Sequence, residues 1–228
     1  MISRLKAYFD AQSSSLWRHG AEEFLRLLTG WIPGAAGIAI RAPLWRLLIK
    51  GEGYPAIESG VIIKGSQWIT LGRNVFLDRR VYLHGGRAGL KIGDRTRVMY
   101  GAEINVYNFR SLEESLIEIG SDCVIGPGCV IMGQGGLKVG NDVIIGPKVL
   151  ILPVDHNYDE PGKLIREQGL RLAGIKIDGN VWIGGGAIIL AGTTIGEGSI
   201  VAAGSVVNIA VPPRCLVAGN PASIVKKF

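Results

Sequence analysis

Between residues 177 and 207 an aliphatic side chain returns at every sixth position: Ile177, Ile183, Ile189, Ile195, Val201 and Val207. Gly184, Gly196 and Ala202 come directly after three of them. A period of six fits neither the 3.6-residue turn of an amphipathic helix nor the strict alternation of a half-buried strand. It fits a chain that runs extended for a few residues, turns on a small one and repeats. Three such faces close a triangular coil of eighteen residues, and stacked coils make a parallel β-helix. The register expected of such a stack puts Ile177 over Ile195 and Ile183 over Val201. One coil cannot bury its aliphatic side alone, so the pattern must run on along the chain.

It does. Hexads begin weakly at Ile57 and Ile63 and become regular at Leu71, Leu77 and Leu83, then Ile92, Val98 and Ile104, then Ile119, Ile125 and Ile131, then Val139, Ile145 and Ile151. The coils start at 71, 92, 119, 139, 177 and 195. Short excesses over eighteen residues read as widened corners, such as GGRAG at 85–89, and a longer one around 108–115 reads as a surface loop. The interval from 139 to 177 is thirty-eight residues, so twenty are extra (38 − 18), and they fall at about 153–173. Six to seven coils at about 4.8 Å each predict a column about 30 Å long. Thirty-four glycines and an aromatic content of 7% suit many tight corners around a slim aliphatic core.

The sequence thus divides into a helical segment over 1–55, the repeat over 56–210 with its insertion at 153–173, and a short tail over 211–228. In the first segment Leu5, Tyr8, Phe9, Leu16, Phe24, Leu25, Leu27 and Leu28 are spaced helically. Pro33 and Pro43 are expected to break the stretch up to residue 50 into short helices or turns. Residues 1–50 carry seven Lys and Arg against three acids, a balance of +4, with Trp17, Trp31 and Trp45 among them. Two readings stand side by side. The segment caps the first coil and excludes water, or it rests as interfacial helices on an anionic bilayer.

The net charge of +6 is compatible with anionic ligands and selects none. Cys123, Cys129 and Cys215 are odd in number, form no CxxC pair and come without a signal-peptide layout, which implies reduced packing residues in the cytoplasm. No apolar run approaches about eighteen residues, so no membrane-spanning helix is expected. The cysteines and histidines show no zinc pattern, no phosphate-binding glycine motif sits in a strand–helix context, and charge alone is a weak argument for nucleic acid.

The insertion, PVDHNYDEPGKLIREQGLRLAG (153–174), holds His156, one of three histidines. Imidazole can accept a proton near neutrality, and Asp155, Asp159 or Glu160 could orient the ring. A histidine in a loop is commonly just a solvated polar group. Here it lies in the longest insertion from a stiff scaffold, where binding groups concentrate.

The run VDHNYDEPG, then EQG (167–169), NVWIGGGAIILAGTTIGEGSIVAAGSVV (180–207), VPP and AGNPA resembles the hexapeptide-repeat acyltransferases, nearest their sugar and polysaccharide O-acetyltransferases. PGAAGIAIR (33–41) and LGRNVFLD (71–78) resemble a subgroup found with exopolysaccharide synthesis. The resemblance covers 56–228 strongly and 30–50 more loosely. It implies a left-handed parallel β-helix, a homotrimer with active sites between subunits, acetyl-CoA as co-substrate with no metal, and a saccharide acceptor for polysaccharide biosynthesis. It implies His156 as the general base on an acceptor hydroxyl. Trp182 matches the family tryptophan along the pantetheine arm, and Gly185 lies where a corner amide faces the thioester. Ala203 and Gly204 match small residues beside the same arm, Lys226 a cation for a CoA phosphate, and Asn208 a commonly polar position. Asn105, Asn108 and Gln134 are the acceptor-binding candidates.

Departures from the family pattern are Leu164-Ile165 before the QG pair, Ile177-Asp178-Gly179 at a coil start, and glycine at 185 in place of Ser or Ala. Two other functions remain open at this level: an N-acyltransferase acting on an amino sugar nucleotide, and a non-catalytic β-helix scaffold. The expected location is cytoplasmic, or peripheral to the inner face of the membrane if residues 1–50 bind lipid.

Overall fold

The computed structural model describes residues 15–106 and 115–228. The hexads become short strands distributed over three parallel sheets of seven, nine and seven strands. Each turn of chain gives one strand to each sheet, so the column has seven coils. The first comprises β1 (Lys50–Gly51), β2 (Ala56–Ile57) and β3 (Ile62–Lys64), and the last β21 (Thr194–Ile195), β22 (Ile200–Val201) and β23 (Val206–Val207). We name the faces first, second and third in that order. The register read from the repeat is the one observed: Ile177 pairs with Ile195 and Ile183 with Val201. Pairing starts at β1, which lies on β4 (Ile69–Leu71), slightly ahead of residue 56.

The aliphatics of the hexads fill the interior. Leu71, Leu77, Leu83, Ile104, Ile125 and Ile131 are all 0% exposed. Burying each such side chain stabilises by about 1.5–3 kcal/mol, and the ladder of neighbouring coils satisfies the backbone. Cys123, Cys129 and Cys215 are buried and unpaired, and burial pushes the thiols of Cys123 and Cys129 above the ordinary range. They act as small packing residues.

Two departures from the regular coil matter for function. The insertion leaves the column between β15 (Leu150–Leu152) and β18 (Ile175–Ile177) as an antiparallel hairpin of β16 (Val154–His156) and β17 (Leu170–Leu172). The tail folds back: β24 (Cys215–Gly219) adds parallel to β22, and β25 (Ala222–Lys227) pairs antiparallel with β24. The tail therefore extends the second face beyond the last coil.

The first coil is covered by α1 (Leu16–Thr29) and α2 (Gly34–Arg46). Ser15 caps α1, its hydroxyl accepting from the Arg18 N–H at 3.3 Å. Pro33 sits at the N-cap of α2, but the helix runs on through Pro43, against the expectation of a break there. Pro43 removes one N–H near the C-terminal end. The burial of Arg41, Ala42 and Trp45 around it offsets that loss.

Arg41 joins these parts. It is 1% exposed, its Nε donates to Ile57 O at 2.7 Å, and its Nη1 donates to Thr29 O and Ile32 O, both at 2.7 Å. One guanidinium thus ties the end of α1, the connection into α2 and the first coil. Gly37 makes this possible, since a Cβ there would lie 2.6 Å from the Arg41 guanidinium and 2.2 Å from Ile32 O. Cationic charge in this segment is therefore not all available to a surface partner. Arg41 is buried, Arg18 donates to Leu48 O and Arg46 to Lys50 O. The candidates Leu5, Tyr8, Phe9 and Asn108, and most of the loop around 108–115, lie outside the described residues.

Candidate active site

The three faces meet at three edges, and the candidate residues collect on two of them. His156 leaves the edge between the third and first faces, at the tip of β16. Antiparallel pairing sets it opposite Leu170 and sets Asp155 opposite Arg171. Its side chain is exposed. None of the three acids named from the sequence bonds the ring among the described residues: Asp155 accepts from Arg171 at 3.3 Å and Glu160 from Lys163 at 3.0 Å.

Gln168 holds the loop in shape, a role that sequence reasoning did not assign. It is 8% exposed; its Nε2 donates to Glu160 O at 3.2 Å and Lys163 O at 2.8 Å, and its Oε1 accepts from Glu160 N at 3.0 Å. Asn157, next to His156, donates its Nδ2 to Gln168 O at 3.1 Å, and its N–H to Gly169 O at 3.2 Å. The signal was present in the EQG run: a glutamine before a glycine in a loop that otherwise lacks buried side chains. Gly135 seats the loop base, since a Cβ there would lie 1.9 Å from Pro153 O.

Asn105 and Gln134 lie on the same edge, at the ends of the third-face strands of the third and fourth coils, β9 (Glu103–Asn105) and β12 (Val130–Met132). Asn105 donates to Glu103 at 3.0 Å, while its Oδ1 and the Oε1 of Gln134 are buried with no partner among the described residues. An unpaired buried acceptor is costly unless a ligand or water donates to it. Beside them a largely apolar hollow of about 550 Å³ is lined by Leu116, Gly135, Gly136 and Ile175, with Lys138 and Lys176 at its rim. Asn208 lies exposed just past β23, at this edge too.

The remaining candidates lie on the second face and its far edge. Trp182, in β19 (Trp182–Ile183), is 52% exposed, with Ile144 and Ile200 as its neighbours above and below. Gly185 and Ala203 occupy successive corners between the second and third faces. Neither amide N–H donates a backbone hydrogen bond among the described residues, whereas Gly204 N–H is engaged by Gly185 O at 3.0 Å. Of these corner donors, those of Gly185 and Ala203 have no backbone acceptor among the described residues and that of Gly204 has one. Lys226 stands on β25 opposite Leu216, exposed, with its ammonium 5.0 Å from the centre of the Phe228 ring. The column brings Trp182, Gly185 and Ala203 together and leaves His156 on another edge of the same chain.

Comparison with known proteins agrees with this architecture. The family model described as bacterial transferase hexapeptide (six repeats) matches residues 174–208. Nodulation protein L of Rhizobium meliloti is 44% identical over 109 residues, covering 47% of this chain and 58% of the relative. A probable acetyltransferase of Mycobacterium tuberculosis is 30% identical over 184 residues, covering 80% of this chain and 55% of the relative. The chain therefore spans a little over half the length of these two curated relatives. Among solved structures, a maltose O-acetyltransferase from Clostridium difficile 630 superposes with a TM-score of 0.52 at 21% identity, over 94% of this chain and 90% of that one. An N-acyltransferase from Bacillus cereus, in complex with dTDP-4-amino-4,6-dideoxyglucose and coenzyme A, superposes with a TM-score of 0.54 at 17% identity, over 81% and 87% of the two chains. At these identities the structures speak for the fold. By repeat, architecture and relatives together, this chain has a left-handed parallel β-helix fold and carries, over residues 174–208, the bacterial transferase hexapeptide repeat.

Proposed function

We propose that the protein is an acetyl-CoA-dependent O-acetyltransferase acting on a hydroxyl of a sugar or polysaccharide precursor, with His156 as general base. The observation that carries this reading is the pairing of an exposed imidazole on a braced hairpin with unengaged corner amides at Gly185 and Ala203. His156 takes the proton of the acceptor hydroxyl, and the oxygen forms its new bond to the acyl carbon. The Gly185 N–H stabilises the oxyanion that develops there. The carbon–sulfur bond breaks, the thiolate leaves, and the proton held by the imidazole returns to it. An ordinary thiol has a pKa of about 8.5, so sulfur leaves readily and the harder task is to make the alcohol nucleophilic.

The donor fits the second face. Trp182 offers a flat apolar surface for the pantetheine arm, and Lys226 offers a cation for a CoA phosphate. Asn208 is a further polar contact to the cofactor, and Asn105 and Gln134 present buried acceptor oxygens toward the saccharide. Because His156 stands on one edge of the chain and Trp182 on the second face, away from that edge, the site is completed by a neighbouring copy, and the assembly is a homotrimer. Residues 1–55 act as a cap that also contacts the membrane peripherally, at its cytoplasmic face. Residues 56–210 form the repeat, and residues 211–228 contact the cofactor.

Acetyl-CoA turnover on a panel of saccharides tests the reading. His156→Ala should lower turnover by about 10²-fold or more while leaving CoA binding intact. Equal turnover by the two proteins would overturn it. Mass spectrometry of the product separates an ester from the amide that an N-acyltransferase acting on an amino sugar nucleotide would leave.

A further inference from the structure

Helix α1 packs Leu25 against the core but carries a second apolar stripe that faces away from the column. At 100° per residue Trp17, Phe24 and Leu28 share one stripe, and they are 78%, 59% and 49% exposed. The side turned to the column instead buries Glu22 at 2% and Thr29 at 4%. Just past the helix Trp31 is 74% exposed and walls two adjoining hollows. One is apolar, with Phe24 and Leu27. The other, of about 530 Å³, is polar and contains Arg79, Arg80 and Tyr100.

Arg79 and Arg80 are exposed neighbours, and neither forms an ion pair among the described residues. Arg80 donates to the Tyr100 hydroxyl at 3.1 Å and lies 5.9 Å from its ring centre. The Asp78 carboxylate accepts instead from the backbone N–H groups of Arg79 and Tyr100. Arg80 also occupies a corner position with φ +58°, where five other coils of the same edge place glycine (Gly60, Gly101, Gly128, Gly186 and Gly204) and one places Lys148. The left-handed conformation is unfavourable for arginine, so local backbone preference does not account for its presence. Two adjacent guanidinium groups with no carboxylate partner make a site for a phosphate.

We infer that the Arg79–Arg80–Tyr100 cleft binds the phosphate of an anionic membrane lipid while the apolar stripe of α1 enters the acyl boundary. This rests on the peripheral membrane contact proposed above and specifies its chemistry. An apolar stripe beside a cationic rim has the layout of an interfacial helix on an anionic leaflet, and Trp31 sits at the junction where amphipathic rings are favoured. The cleft shares its edge with Gly185. From the second to the sixth coil is four steps of about 4.8 Å, which holds the acyl-transfer corner about 19 Å along the column from the phosphate. A cyclic trimer sets the three stripes at one height along its axis, and those that meet one membrane act together.

Flotation of the full chain with vesicles of phosphatidylcholine alone, or with one third phosphatidylglycerol, tests this. The wild type should prefer the anionic vesicles. Arg79→Gln/Arg80→Gln should lose about 30-fold in partition to them and change little on neutral ones. Phe24→Ser/Leu28→Ser should lose binding to both. Acetylation of a soluble sugar and an unchanged oligomer size verify that each variant is folded. If the arginine variant partitions as the wild type does, the cleft is not a headgroup site, although the membrane contact stands. If the wild type ignores both vesicles, cleft and membrane contact fall together. Millimolar inorganic phosphate displacing the wild type from anionic vesicles would make the cleft a soluble-phosphate site and overturn the lipid assignment. Loss of a higher oligomer in Phe24→Ser/Leu28→Ser, without vesicle binding by the wild type, would assign the stripe to a second copy of the chain.

Discussion

The seven-coil column and the helical cap solve opposite problems. In the column every sixth residue points inward, the interior is mainly aliphatic, and the charged side chains stand outside. In the cap a guanidinium and a carboxyl, Arg41 and Glu22, are buried beside Trp45, and Trp17, Phe24 and Leu28 are outside. Repetition stabilises the column: each coil buries what its neighbour exposes. The cap has no repeat to lean on, and a few directed hydrogen bonds hold it. The lesson is that the surface left apolar is one that no described part of this chain covers.

The contrast can be broken most severely in the column. Ile131→Ala, at a site with 0% exposure, should cost about 4 kcal/mol in denaturant unfolding and lower the whole transition, because no coil can unfold without uncovering the next. Arg41→Met keeps apolar bulk but removes donors from Ile57 O, Thr29 O and Ile32 O, so it should cost about 3 kcal/mol. Hydrogen exchange should show that loss confined to α1 and α2. A uniform loss across the coils would mean that cap and column are a single cooperative unit.

Gln168→Ala probes the other braced element. It removes the hydrogen bonds that hold the loop behind His156, and turnover should fall by about tenfold with the unfolding transition of the column unmoved. The smallest effect is expected at Glu22. Its Oε1 accepts from Ser66 N at 2.8 Å, and burial holds its pKa above the ordinary glutamate value of 4.5. A raised carboxyl pKa means that the folded state binds the proton more tightly than the unfolded one, so stability falls as pH rises from 4.5 toward the folded value. Glu22→Gln should therefore raise Tm by a few degrees at neutral pH and leave it nearly unchanged below pH 4.5, as thermal unfolding across that range would show.

Much of this was legible before any coordinates. Ile177 on Ile195 and Ile183 on Val201 come from a count of six, because the coil has one way to bury that pattern. The insertion at 153–173 comes from the same count, as the place where the count fails. The cap was less legible. Pro43 reads as a break and is not one, and nothing in the charge count of residues 1–50 marks Arg41 as the buried cation. Helical spacing shows which residues share a stripe but not which stripe meets the protein. On α1 the apolar stripe lies outside.

What the amino-acid order determined by itself is periodic: the three-sided column, its coil-on-coil register and the position of the inserted hairpin, because each depends on local spacing repeated many times. What the tertiary structure alone decided is aperiodic. Gln168 folding the loop behind His156, and Arg79 and Arg80 lying beside Trp31, join residues that no repeat relates. No spacing rule encodes such contacts. They arise only when the coils stack and the cap is laid across them.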